Sequence, residues 1–185
     1  MQLVCNGIVC YTVKAMNIEH YEIERKFLIR YPDRRYLEEN GSATEIVQTY
    51  LLGNPGETTR VRKRWNTESV SYTLTIKSRV NAMRQVERER DLTEEEYNTL
   101  LLSADPERRE IRKERWVLEY HDQLFEIDLF PFWKNQAYME LELSDESQEI
   151  DFPPKIEIIR EVTGDRRYTN RGLALEIPPE EEKES

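Results

Sequence analysis

The stretch HYEIERKFLIR, residues 20–30, alternates polar and apolar side chains. A period of two is the mark of a β-strand, in which residues two apart share a face. On that reading Glu22, Glu24 and Lys26 lie on one face, with Ile23 and Phe27 on the other. Two acids and a base in one row raise the question of what that row faces.

The same period recurs along the chain. It predicts strands near 20–30, 45–53, 58–66, 70–79, 83–91, 108–118, 121–130 and 137–143. Turn signals separate several of them: GNPGE at 53–57, WNTES at 65–69 and His121-Asp122. Short helices are expected over 31–41, ending at Gly41, and over 92–104, where Thr93 and Glu96 have the spacing of a capping box. A helical turn is expected in 144–150 and a final helix in YTNRGLAL. Eight strands with few helices predict a mainly β, α+β protein, either an antiparallel barrel or a strongly curved sheet.

Laid side by side, the strands carry charge in rows of one sign. Arg60, Arg62 and Arg64 are in phase, Lys77 follows Thr73 and Thr75, and Lys113 is in phase with Arg115. Glu87 pairs in phase with Glu89, Glu126 with Asp128, and Glu140 with Glu142. A solvated outer face is the ordinary explanation for charged strand positions. Two features weigh against it. The opposite faces are strongly apolar (Ile127 and Leu129; Met139, Leu141 and Leu143) and need cover. The signs are also segregated, where a surface built only for solubility mixes them. Rows of like charge turned inward are costly unless a ligand of opposite sign sits among them. Basic rows call for a polyanion and acidic rows for a divalent cation, which together describe a metal–polyphosphate complex.

Composition sets the outer bounds. The 185 residues suggest one domain, and 35% charged against 38% hydrophobic residues fits a modest core. A net charge of −10 argues against a general nucleic-acid binder. Cys5 and Cys10 form neither a disulfide framework nor a zinc site, so a reducing, cytoplasmic setting is expected. No apolar run approaches the length of a membrane span. His20 and His121 have no partners at ligand spacing. Residues 1–17 are expected to be an extension, with Met16 as a candidate start, residues 18–177 the patterned domain, and 178–185 a frayed acidic tail.

The ordered set of motifs resembles the CYTH superfamily, the triphosphate tunnel metalloenzymes. EIERK at 22–26 resembles the family's ExExK signature. Arg60 and Arg62, Lys77, Glu87 and Glu89, Lys113 and Arg115, Asp128, and Glu140 and Glu142 follow in the family's order. REVTGDRRYTNRGLA at 160–174 resembles its C-terminal segment. The resemblance spans roughly residues 18–176 and is nearest to the short bacterial members. It implies an eight-stranded antiparallel closed tunnel with a charged lumen and helices packed outside. It also implies a Mg²⁺- or Mn²⁺-dependent triphosphatase acting on a small-molecule triphosphate, while the net charge and the lack of a long apolar run argue against nucleic acid and membrane as partners.

On this resemblance Lys26, Arg60, Arg62, Lys77, Lys113, Arg115 and Arg167 would bind phosphate. Glu22, Glu24, Asp128, Glu140 and Glu142 would bind metal, and Glu22, Glu24 and Lys26 form the catalytic signature. Glu87 and Glu89 would complete the metal shell or orient the bases. Arg64 and Arg79 read as surface residues, and Glu126 as a structural partner. Trp65 and Trp116 fall out of phase with the basic rows and should point outward. That removes two base-stacking candidates and favours inorganic tripolyphosphate over the family's other reactions, adenylate cyclisation and thiamine, nucleoside or RNA triphosphate hydrolysis; a polyphosphate-binding module without catalysis is the alternative of a different class.

Overall fold

The computed structural model describes residues 2–6, 9–13, 18–79 and 84–182, with side chains described over 23–78 and 86–182. In chain order the elements are β1 (Gln2–Asn6), β2 (Val9–Val13), β3 (Ile18–Arg30), α1 (Arg34–Asn40), β4 (Gly41–Leu51), β5 (Glu57–Trp65), β6 (Val70–Arg79) and β7 (Arg84–Leu92). They continue with α2 (Glu94–Leu101), β8 (Ile111–Tyr120), β9 (Gln123–Leu129), β10 (Gln136–Glu142), β11 (Ile158–Glu161), a 3-10 turn (Arg166–Tyr168) and α3 (Asn170–Leu175). β1 and β2 pair only with each other. The remaining strands run in the hydrogen-bonded order β10-β9-β8-β4-β5-β6-β7-β3-β11, all antiparallel, and β10 pairs with β3 as well. The protein is therefore mainly β with few helices. β1, β2 and β11 are strands that the sequence reading did not anticipate.

β3 organises the sheet because both of its edges are used. Residues 18–23 pair with β7, while residues 24–30 pair with β10. On the other edge of that second half the Lys26 carbonyl accepts from the Val162 amide at 2.8 Å, and the Arg30 amide donates to the Glu157 carbonyl at 2.9 Å.

Local chemistry explains the connections. The β8–β9 hairpin turns on two residues, His121 at φ 49° and Asp122 at φ 57°. Two left-handed residues match the twist of the strands they join. Gly56, at φ 85°, serves the β4–β5 loop in the same way. Gly41 is different: its backbone is extended, and it begins β4 rather than capping α1 in a left-handed turn. A Cβ there would lie 2.8 Å from the Val117 carbonyl oxygen, so the close approach of β8 excludes a side chain.

The capping box forms as expected. The Thr93 hydroxyl accepts from the Glu96 amide at 3.1 Å, and the Glu96 carboxylate accepts from the Thr93 amide at 2.8 Å. A Thr93→Ala substitution should cost about 1 kcal/mol in urea denaturation, without changing activity. Residues 144–150 form turns held by Asp145, which takes the Ser147 amide at 2.8 Å, and no helix forms there.

The apolar faces of the strands receive the cover they need. Ile23, Phe27, Trp116, Ile127 and Met139 pack with Leu37 of α1 and with Ile156. Val61, Tyr72 and Leu74 pack under Tyr97 and Leu100 of α2. Leu37 is fully buried, which contributes about 1.5–3 kcal/mol. A third cluster joins Leu28, Tyr50, Phe130 and Tyr138 to Leu173 of α3.

The acidic end is not frayed over its described length. The Trp133 indole donates to the Pro178 carbonyl at 3.1 Å, and Arg30 donates to the Glu181 carbonyl at 2.9 Å. The Glu181 amide donates to Gln136 Oε1 at 2.8 Å. Its backbone bonds to the body of the protein outweigh the charge run that suggested a loose tail. Among the described residues no helix is long and apolar enough to cross a membrane.

Candidate active site: a cavity between rows of opposite charge

Residues paired directly across antiparallel strands share a face. The register therefore gathers the charged rows onto one surface without reference to any side-chain position. Glu24 stands opposite Glu142, and Lys26 opposite Glu140. Arg115 stands opposite Asp128, Thr58 opposite Lys77, and Lys77 opposite Glu87. Glu22 shares this phase, opposite Gln85, although its side chain lies outside the described residues, as does that of Arg79.

That surface encloses a cavity of about 1320 Å³. Ten lysine and arginine side chains line it against seven aspartates and glutamates. A chain of net charge −10 thus presents an excess of positive charge at this one place. Among the residues named from the sequence, Glu24, Lys26, Arg60, Arg62, Lys77, Glu87, Glu89, Lys113, Arg115, Glu140 and Glu142 all line the cavity.

The bases are held by carboxylates. Lys26 Nζ lies 2.6 Å from Glu140 Oε1, and it also donates to the Tyr168 carbonyl at 3.4 Å. Burial works against its charge, but Glu140 and Glu24 outweigh burial and raise its pKa. Arg115 donates to both oxygens of Asp128, at 2.6 and 2.7 Å, to Glu140 at 2.9 Å, and to Glu126. Lys113 pairs with Asp128 as well. Burial alone would raise the Glu140 carboxyl, yet Lys26 and Arg115 hold it well below the usual carboxylate range. Lys113 moves the other way: burial, and then the repulsion of Arg115, bring it down to about 8. Burial, with Arg60 and Arg64 beside it, brings Arg62 down to about 9.

Glu89 accepts from Arg62 at 2.8 Å and from the Thr75 hydroxyl at 2.7 Å, and Glu87 pairs with Lys77 at 2.5 Å.

Two placements differ from the sequence reading. Asp128 is fully buried and does not line the cavity. Arg115 donates to both of its oxygens and Lys113 pairs with one of them. Arg167 is 71% exposed and turned onto Asp165, which takes its guanidinium at 2.7 and 3.1 Å and its amide at 3.1 Å. The residue before it, Arg166, lines the cavity instead.

The sequence reading also passed over cavity residues. Arg64 lines the cavity, and its phase with Arg60 and Arg62 was the available signal. Arg108 and Arg171 line it too, from a loop and from α3, where no period-two pattern marks them. Trp116 is buried on the far side of the sheet, among Phe27, Ile127 and Leu37, and neither it nor Trp65 lines the cavity.

The chain matches no family model. It is 34% identical over 161 residues to an inorganic triphosphatase of Nitrosomonas europaea, covering 85% of this chain and 99% of that protein. It superposes on a crystal structure of the inorganic triphosphatase NE1496 with a TM-score of 0.54 at 30% identity, covering 85% of this chain and 97% of the other. The PH1012 protein of Pyrococcus horikoshii shares the fold at a TM-score of 0.50 and 20% identity, over 67% of this chain and 80% of the other. The ordered charge motifs, the cavity they line and a relative matched over nearly its whole length agree: the chain belongs to the inorganic triphosphatase family of the CYTH superfamily.

Proposed function

We propose that the protein hydrolyses inorganic tripolyphosphate to pyrophosphate and phosphate with the help of a divalent metal ion. The cavity carries this reading, because a net-negative chain gathers ten bases around it. Removing a polyphosphate from water requires fixed charges to replace its hydration shell. Arginine supplies a planar fork matched to phosphate oxygens, and lysine supplies a point charge. In this reading Lys26, Arg60, Arg62, Lys77, Lys113 and Arg115 bind the phosphates. Their carboxylate partners hold them in place before substrate arrives, so little reorganisation is left for the reaction. Phosphoryl transfer is governed by positioning and electrostatics, and no covalent nucleophile is required. A closed eight-stranded tunnel belongs to the same proposal, supported by the β10–β3 ladder.

The metal would be Mg²⁺ or Mn²⁺, since the available donors are carboxylates. Among the described residues no three acidic, histidine or cysteine side chains converge as a metal cluster. Magnesium is commonly held by one or two carboxylates together with substrate phosphates, and Glu24 opposite Glu142, with Glu22 and Glu140 beside them, suits that mode. When bound, such an ion neutralises phosphate charge and lowers the pKa of its water. The reducing, cytoplasmic setting expected from the sequence is part of the same proposal.

The deciding experiment incubates the protein with tripolyphosphate, ATP or thiamine triphosphate, with Mg²⁺ or Mn²⁺, and identifies the products. Orthophosphate from tripolyphosphate is the expected result. Cyclic AMP from ATP would make the protein a cyclase, and binding without products would make it a polyphosphate-binding module.

The lowered pKa of Lys113 predicts a pH effect. Below about pH 8 its ammonium is charged and attracts the polyanion; as pH rises through that value the charge is lost. KM for tripolyphosphate should therefore rise above pH 8, approaching tenfold per unit, while kcat changes less. In Lys113→Arg the cation persists at all these pH values, and that inflection should disappear. An inflection that survives in Lys113→Arg would assign it to another group.

A further inference from the structure

Charge is uneven along the cavity, although Glu87, opposite Lys77, stands on the register row of Thr58. Glu24, Glu126 and Glu142 lie toward the end marked by Asp122 in the β8–β9 turn. Along β5 the cavity face runs from Arg64 through Arg62 and Arg60 to Thr58, and at that opposite end stand Arg108, Arg166 and Arg171. Its volume of about 1320 Å³ exceeds the roughly 300–1,000 Å³ that encloses a drug-sized ligand, so a triphosphate leaves much of it free.

The basic end is built rather than incidental. Arg108 is half-buried, paired with Asp105 at 3.2 Å, and donates to the Arg171 carbonyl at 2.8 Å. Arg171 donates to the Thr58 hydroxyl at 3.3 Å, which continues the row of phosphate-facing positions on β5. Thr58 lies two residues beyond Arg60, about 6.7 Å along the strand. Arg108 and Arg171 also line a smaller adjoining cavity of about 240 Å³ beneath the 52–56 loop. Lys26, Lys77, Lys113 and Arg115 each have a carboxylate partner, whereas among the described residues Arg166 and Arg171 have none within ion-pair distance.

We propose that Arg108, Arg166 and Arg171 form a further anion subsite, which takes the distal phosphoryl group of a linear inorganic polyphosphate longer than three units. The inference rests on the triphosphatase reading of the main cavity and extends it. Direction follows from the arginine cluster: a chain that overhangs the central bases is drawn to Arg108, Arg166 and Arg171, so its extra phosphoryl group reaches the rim beside Thr58.

The test compares tripolyphosphate with tetrapolyphosphate in the wild-type protein and in the double variant Arg166→Gln/Arg171→Gln. Arg108 is left intact because it braces α3. Both arginines are exposed, so the variant should keep the wild-type thermal transition. KM for tetrapolyphosphate should rise at least fivefold more than KM for tripolyphosphate. Equal penalties on the two chains would overturn the subsite and leave the triphosphatase reading intact. Calorimetric binding of both chains without divalent metal separates the two proposals from the other side. A preference for the longer chain that the double variant loses supports the subsite even if neither compound is hydrolysed, and no such preference in the wild-type protein overturns it.

Discussion

Asp128→Asn should destabilise the protein by about 3–5 kcal/mol and lower its Tm by roughly 6–20 °C in thermal denaturation. Asp128 is fully buried, and it is the carboxylate shared by Lys113 and Arg115. Its pKa is depressed: burial favours the neutral acid, but Arg115 and Lys113 together outweigh it. Removing the charge leaves two buried cations beside a neutral amide, with Arg115 still paired to Glu126 and Glu140 but the ion pair of Lys113 with Asp128 lost. The exposed pair of His121 and Asp151 provides the control, since Asp151→Asn should change stability by less than about 0.5 kcal/mol. The variant also separates two roles for Asp128. As a residue that positions Lys113 and Arg115, its loss should raise KM for tripolyphosphate at least tenfold and leave the metal-activation constant where it was. A shift in the metal constant at unchanged KM would return Asp128 to the metal site.

The triple variant Glu22→Ala/Glu24→Ala/Lys26→Ala should lose at least 10³-fold in kcat/KM, about 4 kcal/mol of transition-state stabilisation. Lys26 is a buried base that lines the cavity, and Glu24 faces Glu142 across the β3–β10 ladder. Glu140 keeps Arg115 as a partner when Lys26 is removed, so the fold should survive with a cooperative thermal transition. Hydrolysis at the wild-type rate would sink the assignment of this row to the reaction. A non-cooperative transition would instead show that the row is needed for folding.

Much of the architecture was legible because it depends on local rules. Period two marks a strand and its faces from the backbone alone, and all eight expected strands occur, with ends displaced by a few residues. Thr93 and Glu96 bond within one helical turn, so their spacing was sufficient. The His121-Asp122 turn is likewise a two-residue event. β11 spans only four residues, too few for a pattern to emerge, and it is held by its position against β3.

The sequence by itself determined which side chains share a face, and hence that rows of like charge would confront one another. It did not determine depth or partnership. Glu126 and Asp128 are indistinguishable by phase, yet one lines the cavity and the other lies buried beneath Lys113 and Arg115. Arg166 and Arg167 are neighbours, yet a 3-10 turn capped by Asp165 sends one to the cavity and the other into solvent. Arg108 and Arg171 reach the same rim from segments 63 residues apart. Ion pairing acts across strands and between distant segments, over a few ångströms set by register and packing. For that reason only the tertiary structure decided which charges neutralise one another and which remain turned toward the cavity.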